Sequence, residues 1–159
     1  MIAERFDDAR IVALMEAYRA AEYRWELDGH WQSLQIGVRA DALEAAFPQA
    51  RAFSLLSAWN PYSVERSERA NREADAVLHA ALRDTGLDFR PGFSSARNRS
   101  WREPSWVVMD MPLDAFDALA RDFGQLGTLY AQRGEAMHLR LYRPQPANCP
   151  DLAGIDWVR

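Results

Sequence analysis

The sequence predicts a single α+β domain that spans residues 1–159, and three observations support this fold class. Segments with helical spacing and segments with strand-like patterning follow one another along the whole chain. No internal repeat, low-complexity tract or Gly/Ser linker divides them. The apolar fraction of 48% and the charged fraction of 26% are those of an ordinary globular protein with one buried core.

The N-terminal part is expected to add one helix and one strand to the core. Apolar residues recur at helical spacing over 9–27, which predicts an amphipathic helix that ends at Asp28-Gly29. Apolar residues then alternate with polar or small ones over 34–38, a pattern typical of a strand. Residues 41–47 are expected to form a short helix, since a proline follows them.

The middle of the chain, residues 53–142, supplies the predicted core. Residues 53–58 are apolar on both faces and predict a central strand. Ser67 is the expected N-cap of a long helix, and Gly86 is the residue expected just after its end. Strands are predicted over 87–90, 105–109, 128–132 and 137–142, and a helix is predicted from Pro112 to Phe123.

The order of these elements from residue 53 to residue 132 is β-α-β-β-α-β. This is the order of the ferredoxin-like split βαβ unit, so we predict a ferredoxin-like core. The N-terminal helix and strand and a C-terminal strand are additions to it. Residues 143–159 contain three prolines and predict an irregular, Pro-rich tail.

Composition excludes several kinds of chemistry. All 19 basic residues are arginine, so no lysine can form a Schiff base or serve a phosphate-binding loop. This arginine usage is typical of GC-rich bacterial genomes. Cys149 is the only cysteine, and the three histidines have no metal-ligand spacing, so neither a metal site nor a cofactor is predicted.

Polar and aromatic residues are predicted to gather beside the strand that ends near Ala58. Asn60 and Ser63 follow this strand, Glu103 enters a later strand, and Gln125 follows the last predicted helix. Ligands in α/β sheets tend to bind where strands hand over to helices. The candidate ligand- or partner-binding residues are Trp59, Asn60, Tyr62, Ser63, Asn71, Trp101, Glu103 and Gln125. A purely structural role for the same groups, in turns and caps, is the alternative.

The connection between two predicted strands carries a local positive charge on an acidic protein of net charge −4. It contains Arg90, Arg97, Arg99 and Arg102 with no acidic residue among them, and Phe93 and Trp101 lie between them. Such a segment indicates a candidate anion site or a local contact with single-stranded nucleic acid. The net negative charge argues against general nucleic-acid binding.

Three segments together resemble a known family. They are Ala58 to Ser63 with Ser67 and Asn71 following, Trp101-Arg102-Glu103-Pro104-Ser105, and Phe123-Gly124-Gln125. Their order and spacing resemble the small bacterial family catalogued as domain of unknown function 3293, over about residues 53–142. The resemblance implies a common structural unit and brings no established activity.

We therefore expect a bacterial, cytoplasmic, non-enzymatic module that binds a protein partner or a small ligand. The charged N-terminus and the lack of a long apolar run predict no membrane segment. One alternative is an enzyme that uses Glu103 on a small polar or phosphorylated substrate. Another is local anion or nucleic-acid binding through the arginine segment, and a homodimer is a further alternative. No catalytic residue is assigned, because Glu103 has no acid–base partner in the pattern.

Overall fold

One mixed sheet with helices on both faces organises the protein, which confirms the α+β class. The computed structural model describes residues 7–96 and 102–159. In this part of the chain the elements are α1 (Asp8–Ala20), β1 (Glu22–Leu27), β2 (His30–Leu34), α2 (Asp41–Ala46), β3 (Ala52–Leu56), a 3-10 turn (Pro61–Ser63), α3 (Glu68–Thr85), β4 (Phe89–Ser95), β5 (Arg102–Met109), α4 (Leu113–Asp122), β6 (Gly127–Gln132), β7 (His138–Leu141) and β8 (Ile155–Trp157).

The strand order places the predicted core in the middle of the sheet. The eight strands lie in the order β2-β1-β4-β5-β3-β6-β7-β8. Only β7 and β8 pair in parallel; the other neighbours are antiparallel. Since β5 lies between β3 and β4, and β3 lies between β5 and β6, the crossovers through α3 and α4 interleave. The order of the elements along the chain agrees with the predicted β-α-β-β-α-β core. The assignment of this core to the ferredoxin-like fold stays a prediction.

Alternate residues of each strand pack against different helices, as the pleat of a strand requires. Phe53, Leu55 and Val107 pack with residues of α1 and α2. Leu56 and Val108 pack with residues of α3 and α4. We call these the α1 face and the α3 face of the sheet. Burial on both sides explains why β3 is apolar except at Ser54.

The predicted N-terminal helix is wrong beyond residue 20. Residues 22–27 form β1, and Trp25 is fully buried in it on the α1 face. Asp28 and Gly29 both have positive φ, 50° and 80°, and form the two-residue turn between β1 and β2. Asp-Gly between alternating residues favours such a hairpin turn, and this local signal outweighs the helical spacing.

The predicted strand over 34–38 is also misplaced. The second strand, β2, ends at Leu34, and the chain then crosses toward the far side of the sheet. Gly37 N donates to Met137 O over 2.7 Å, and Met137 N donates to Val38 O over 3.0 Å. The segment after β2, which is the strand at one edge of the sheet, is therefore hydrogen-bonded to the start of β7, close to the opposite edge.

The C-terminal tail is less irregular than its prolines predict. Ile155–Trp157 forms β8 and pairs in parallel with β7. Cys149 and Leu152 pack into the core on the α1 face. The three prolines precede this strand, so they shape the connection and do not prevent pairing at its end.

The caps of α3 are as predicted. Ser67 accepts a hydrogen bond from Ala70 N over 3.1 Å, and Gly86 follows the helix in the left-handed conformation. These two residues satisfy backbone groups at the helix ends. As a result α3 begins at Glu68, shortly after the loop that follows β3, where the candidate site lies.

Candidate functional site

The loop after β3 has an unusual backbone. Asn60, Tyr62 and Ser63 have φ values of 46°, 57° and 57°, in the left-handed region that residues with a Cβ rarely adopt. Each such residue costs on the order of 1–3 kcal/mol and persists only where the surroundings hold it. Tyr62 N donates to Gly124 O over 2.7 Å. A Cβ at Gly124, whose φ is +66°, would lie 2.8 Å from Pro61 Cβ, so only glycine fits there.

A buried amide network holds this loop on α3. Asn60 N donates to Asn71 Oδ1 over 2.8 Å, and Asn71 Nδ2 donates to Asn60 Oδ1 over 2.9 Å. Arg66 Nε donates to Asn71 Oδ1 over 2.7 Å, and Arg66 Nη2 donates to Ala58 O over 2.9 Å. The two asparagines thus use their amide groups on each other and on Arg66.

The three residues on which the predicted site depended do converge. Asn60 Nδ2 donates to Glu103 Oε1 over 2.9 Å. Gln125 Nε2 donates to Trp59 O over 3.2 Å and to Phe123 O over 3.4 Å. Residues from three separate segments of the chain therefore meet at one end of the sheet, where β3 and β4 end and β5 begins.

A cavity of about 320 Å³ lies at this end, on the α1 face. Of the predicted site residues, Trp59, Asn60, Ser63, Glu103 and Gln125 line it. The other lining residues come from α1 and its C-terminus, from β1, from the end of β4, and from the start of the segment before β6. They are Leu14, Ala17, Tyr18, Ala21, Tyr23, Ser94, Ser95, Ala96 and Leu126.

Sequence reasoning missed the contribution of α1 and β1. Leu14 and Tyr18 are four residues apart, as expected for one helix face, and such a pair indicates core packing more often than a cavity wall. Tyr23 was assigned to a helix, whereas in β1 it points to the α1 face beside Ser94. A correct break between α1 and β1 would have placed both tyrosines near the loop.

Two buried phenols line the cavity and are linked. Tyr23 OH donates to Tyr18 O over 2.5 Å, and Tyr18 OH lies 3.4 Å from Ser63 Oγ. Burial raises the pKa of Tyr18 to about 12, and hydrogen bonding from Ser63 and from the Gly127 backbone partly offsets this rise. Burial also raises the pKa of Tyr23, and the charge of Glu103 acts in the same direction on both phenols. Both hydroxyls are protonated at neutral pH.

Some buried polar atoms of the cavity walls have no hydrogen-bond partner within the described residues. Ser95 Oγ and Trp59 Nε1 are of this kind. A crevice of about 20 Å³ shares Tyr18 and Tyr23 with the cavity and reaches Ser105, whose Oγ is also unpartnered in the described chain. Buried groups of this type indicate room for a water molecule or a ligand atom.

Two of the described site residues do not line the cavity as expected. Tyr62 is 52% exposed on the outer side of the loop. Asn71 lies behind the loop, 2% exposed, where it supports Asn60. Trp101 lies outside the described residues, as do Arg97 and Arg99.

The predicted arginine patch is wrong for its two described members. Arg90 pairs with Val107, which belongs to the α1 face, whereas Arg102 pairs with Ser95. Because strand residues alternate between faces, Arg90 and Arg102 lie on opposite sides of the sheet. Arg90 lies over the Phe47 ring, and Arg102 lies over the Phe93 ring at 4.1 Å from its centroid. They do not form one anion site.

The described part of the chain contains neither a cluster of metal ligands nor a helix that could span a membrane. Within residues 7–96 and 102–159, no three His, Cys, Asp or Glu side chains gather as metal ligands. No helix of those ranges combines the length and the hydropathy that crossing a bilayer requires.

The fold and the site together define a small α+β domain with a cavity at one end of its sheet. The family model described as Protein of unknown function (DUF3293) matches residues 56–127, which confirms the resemblance to that family over this segment. The match is narrower than the resemblance over about 53–142. It contains the loop after β3, Glu103 and Gln125, whereas α1 lies outside it. No curated protein and no solved structure matches the chain.

Proposed function

We propose that this protein binds a small, largely apolar ligand in the cavity and does not act on it chemically. The observation that supports this proposal is the convergence of Asn60, Glu103 and Gln125 with α1 around one concave space. Their approach requires a strained loop, and strain of this kind concentrates at functional sites. A purely structural loop would not need a space of this size beside it.

The size and the lining of the cavity suit a small organic molecule. Its volume of about 320 Å³ is at the lower end of the range of roughly 300–1,000 Å³ for ligand pockets. Aromatic and aliphatic side chains such as Tyr18, Trp59 and Leu126 line much of it, and a few polar groups stand among them. Apolar walls supply affinity, and the polar groups fix the orientation of a ligand.

Catalysis through Glu103 has weaker support. General acid–base chemistry needs a group whose pKa lies near the working pH. Tyr18, with a pKa raised to about 12, can donate a hydrogen bond but is a poor base at neutral pH. Within the described residues, Glu103 is the only lining residue with a carboxyl group, and no histidine lines the cavity.

A protein partner is the second candidate, and one surface favours it. Trp31 is 41% exposed and packs edge-on against Phe93, at 4.8 Å between ring centroids. Arg102 lies over the same Phe93 ring. This aromatic surface is on the α3 face, away from the cavity, so the two candidates can be tested separately. A bacterial and cytoplasmic setting is part of the same proposal.

Filling the cavity is expected to abolish ligand binding. Ser94 lies on β4 at the cavity wall, and a strand position accepts an aromatic residue. Toluene is the probe, and ligand-observed NMR titration measures its dissociation constant, expected on the order of 1 mM or tighter. With Ser94→Phe we expect at least tenfold weaker toluene binding.

Ser33→Phe is the matched control, because Ser33 is an exposed strand residue outside this cavity. The control is expected to bind toluene as the native protein does. If the native protein fails to bind toluene, or if both variants weaken it equally, the proposed site is wrong.

A further inference from the structure

The polar groups of the cavity indicate what kind of ligand it takes. We propose that the ligand carries a neutral hydroxyl or carbonyl group, and that the hydroxyls of Tyr18 and Ser63 hold this group. This inference rests on the proposed function and adds the chemical class of the ligand and the residues that recognise it.

Tyr18 and Ser63 bring their hydroxyls to one place in the cavity wall from two separate elements. Tyr18 lies on α1, and Ser63 lies at the end of the turn after β3. The two oxygens are 3.4 Å apart, longer than the roughly 2.5–3.0 Å of a good O–H···O bond. A ligand oxygen that bonded both hydroxyls would replace this long contact with two shorter ones.

Three other polar side chains of the site are already engaged inside the protein. Asn60 bonds Asn71 and Glu103 through its side chain, and Gln125 Nε2 bonds two backbone carbonyls. Glu103 accepts the Asn60 amide and has a further interaction within the protein. These groups build the wall, so recognition is left to the hydroxyls and to Trp59 Nε1, which has no partner among the described residues.

Neutral hydroxyls favour a neutral ligand group over a charged one. A charged group that leaves water needs a counter-charge or several strong hydrogen bonds. Tyr18 and Ser63 supply neutral groups that both donate and accept, which matches a hydroxyl or a carbonyl oxygen. Burial keeps the pKa of Tyr18 at about 12, so its proton is present at neutral pH.

The test compares benzyl alcohol with toluene, since the two probes differ by one hydroxyl. We expect the native protein to bind benzyl alcohol more tightly than toluene in NMR titrations. Tyr18→Phe is expected to weaken benzyl alcohol binding by about 3- to 10-fold, the loss of one hydrogen bond. Toluene binding is expected to change by less than about twofold, because the ring that packs on Gly127 remains.

Ser63→Ala is expected to act like Tyr18→Phe, and Tyr130→Phe, which does not line the cavity, is the matched control. Equal loss of both probes in Tyr18→Phe, or no loss of either, would overturn this inference while leaving the proposed site intact. Tighter binding of benzylamine or benzoate than of benzyl alcohol would also overturn it. Failure of toluene and benzyl alcohol alike to bind the native protein would instead reject the proposed function itself.

Discussion

Replacing Asn71 with alanine is expected to lower the free energy of unfolding by about 3 kcal/mol and to abolish binding in the cavity. The Asn71 amide is buried. Its Oδ1 accepts hydrogen bonds from Asn60 N and Arg66 Nε, and its Nδ2 donates to Asn60 Oδ1. Alanine leaves the buried Asn60 N without its acceptor, Asn60 Oδ1 keeps only the bond from Arg66 N, and Arg66 Nε loses its acceptor. The left-handed backbone at Asn60 therefore loses its support. Urea denaturation and toluene titration of the folded variant measure the two effects.

Arg72→Ala is the control for Asn71→Ala, because Arg72 is on the same helix but exposed and pairs only with Glu68 among the contacts described here. An exposed i,i+4 pair contributes about 0.3–0.5 kcal/mol, so this variant is expected to be nearly as stable as the native protein. A cost below about 1 kcal/mol for Asn71→Ala, with binding retained, would show that the amide network is not what holds the loop.

Asp117→Ala is expected to have the largest effect on stability, about 4 kcal/mol. Asp117 is 9% exposed on α4, and its carboxylate accepts two hydrogen bonds from Arg140, over 3.1 and 2.6 Å. Tyr142 OH donates to the same carboxylate over 2.8 Å. The variant leaves the part-buried Arg140 guanidinium without its main counter-charge. In the native protein burial lowers the pKa of Arg140, and the hydrogen bonds and charge of its carboxylate partners outweigh this effect and raise it.

Since Arg140 lies on the α3 face, away from the cavity, toluene binding by the folded Asp117→Ala variant is expected to be unchanged. Asp122→Ala, an exposed acid at the end of the same helix, is the control and is expected to cost less than about 0.5 kcal/mol. A similar urea midpoint for Asp117→Ala and Asp122→Ala would refute the role given to the buried ion pair.

Local signals predicted the elements that depend on local chemistry. Ser67 and Gly86 delimit α3 as expected, because capping is decided within a few residues. Trp25 was assigned to a helix because the spacing of the apolar residues around it fits a helix as well as a strand. Only the pairing of this segment with β2 and β4 makes it a strand. β8 was missed for a similar reason, since a three-residue strand is stabilised by its neighbour and leaves little pattern in sequence.

The candidate site was predictable in part. Asn60, Glu103 and Gln125 stand at the ends of predicted elements, so their convergence followed from the element order. The contribution of α1 residues to the cavity wall was not predictable, because no local sequence pattern indicates which part of a sheet an added helix covers. For Arg90 and Arg102, the described members of the arginine segment, a common site was wrongly predicted because charge clustering in sequence ignores the alternation of side chains in a strand.

A small apolar ligand is expected to enter the space between α1 and the end of the sheet. Amide NMR spectra of the native protein titrated with toluene test it most directly. We expect the largest shifts on Tyr18, Ser63, Ser95 and Gln125, which surround the cavity. Saturating shifts confined to the Trp31 surface, or no shifts at all, would contradict it.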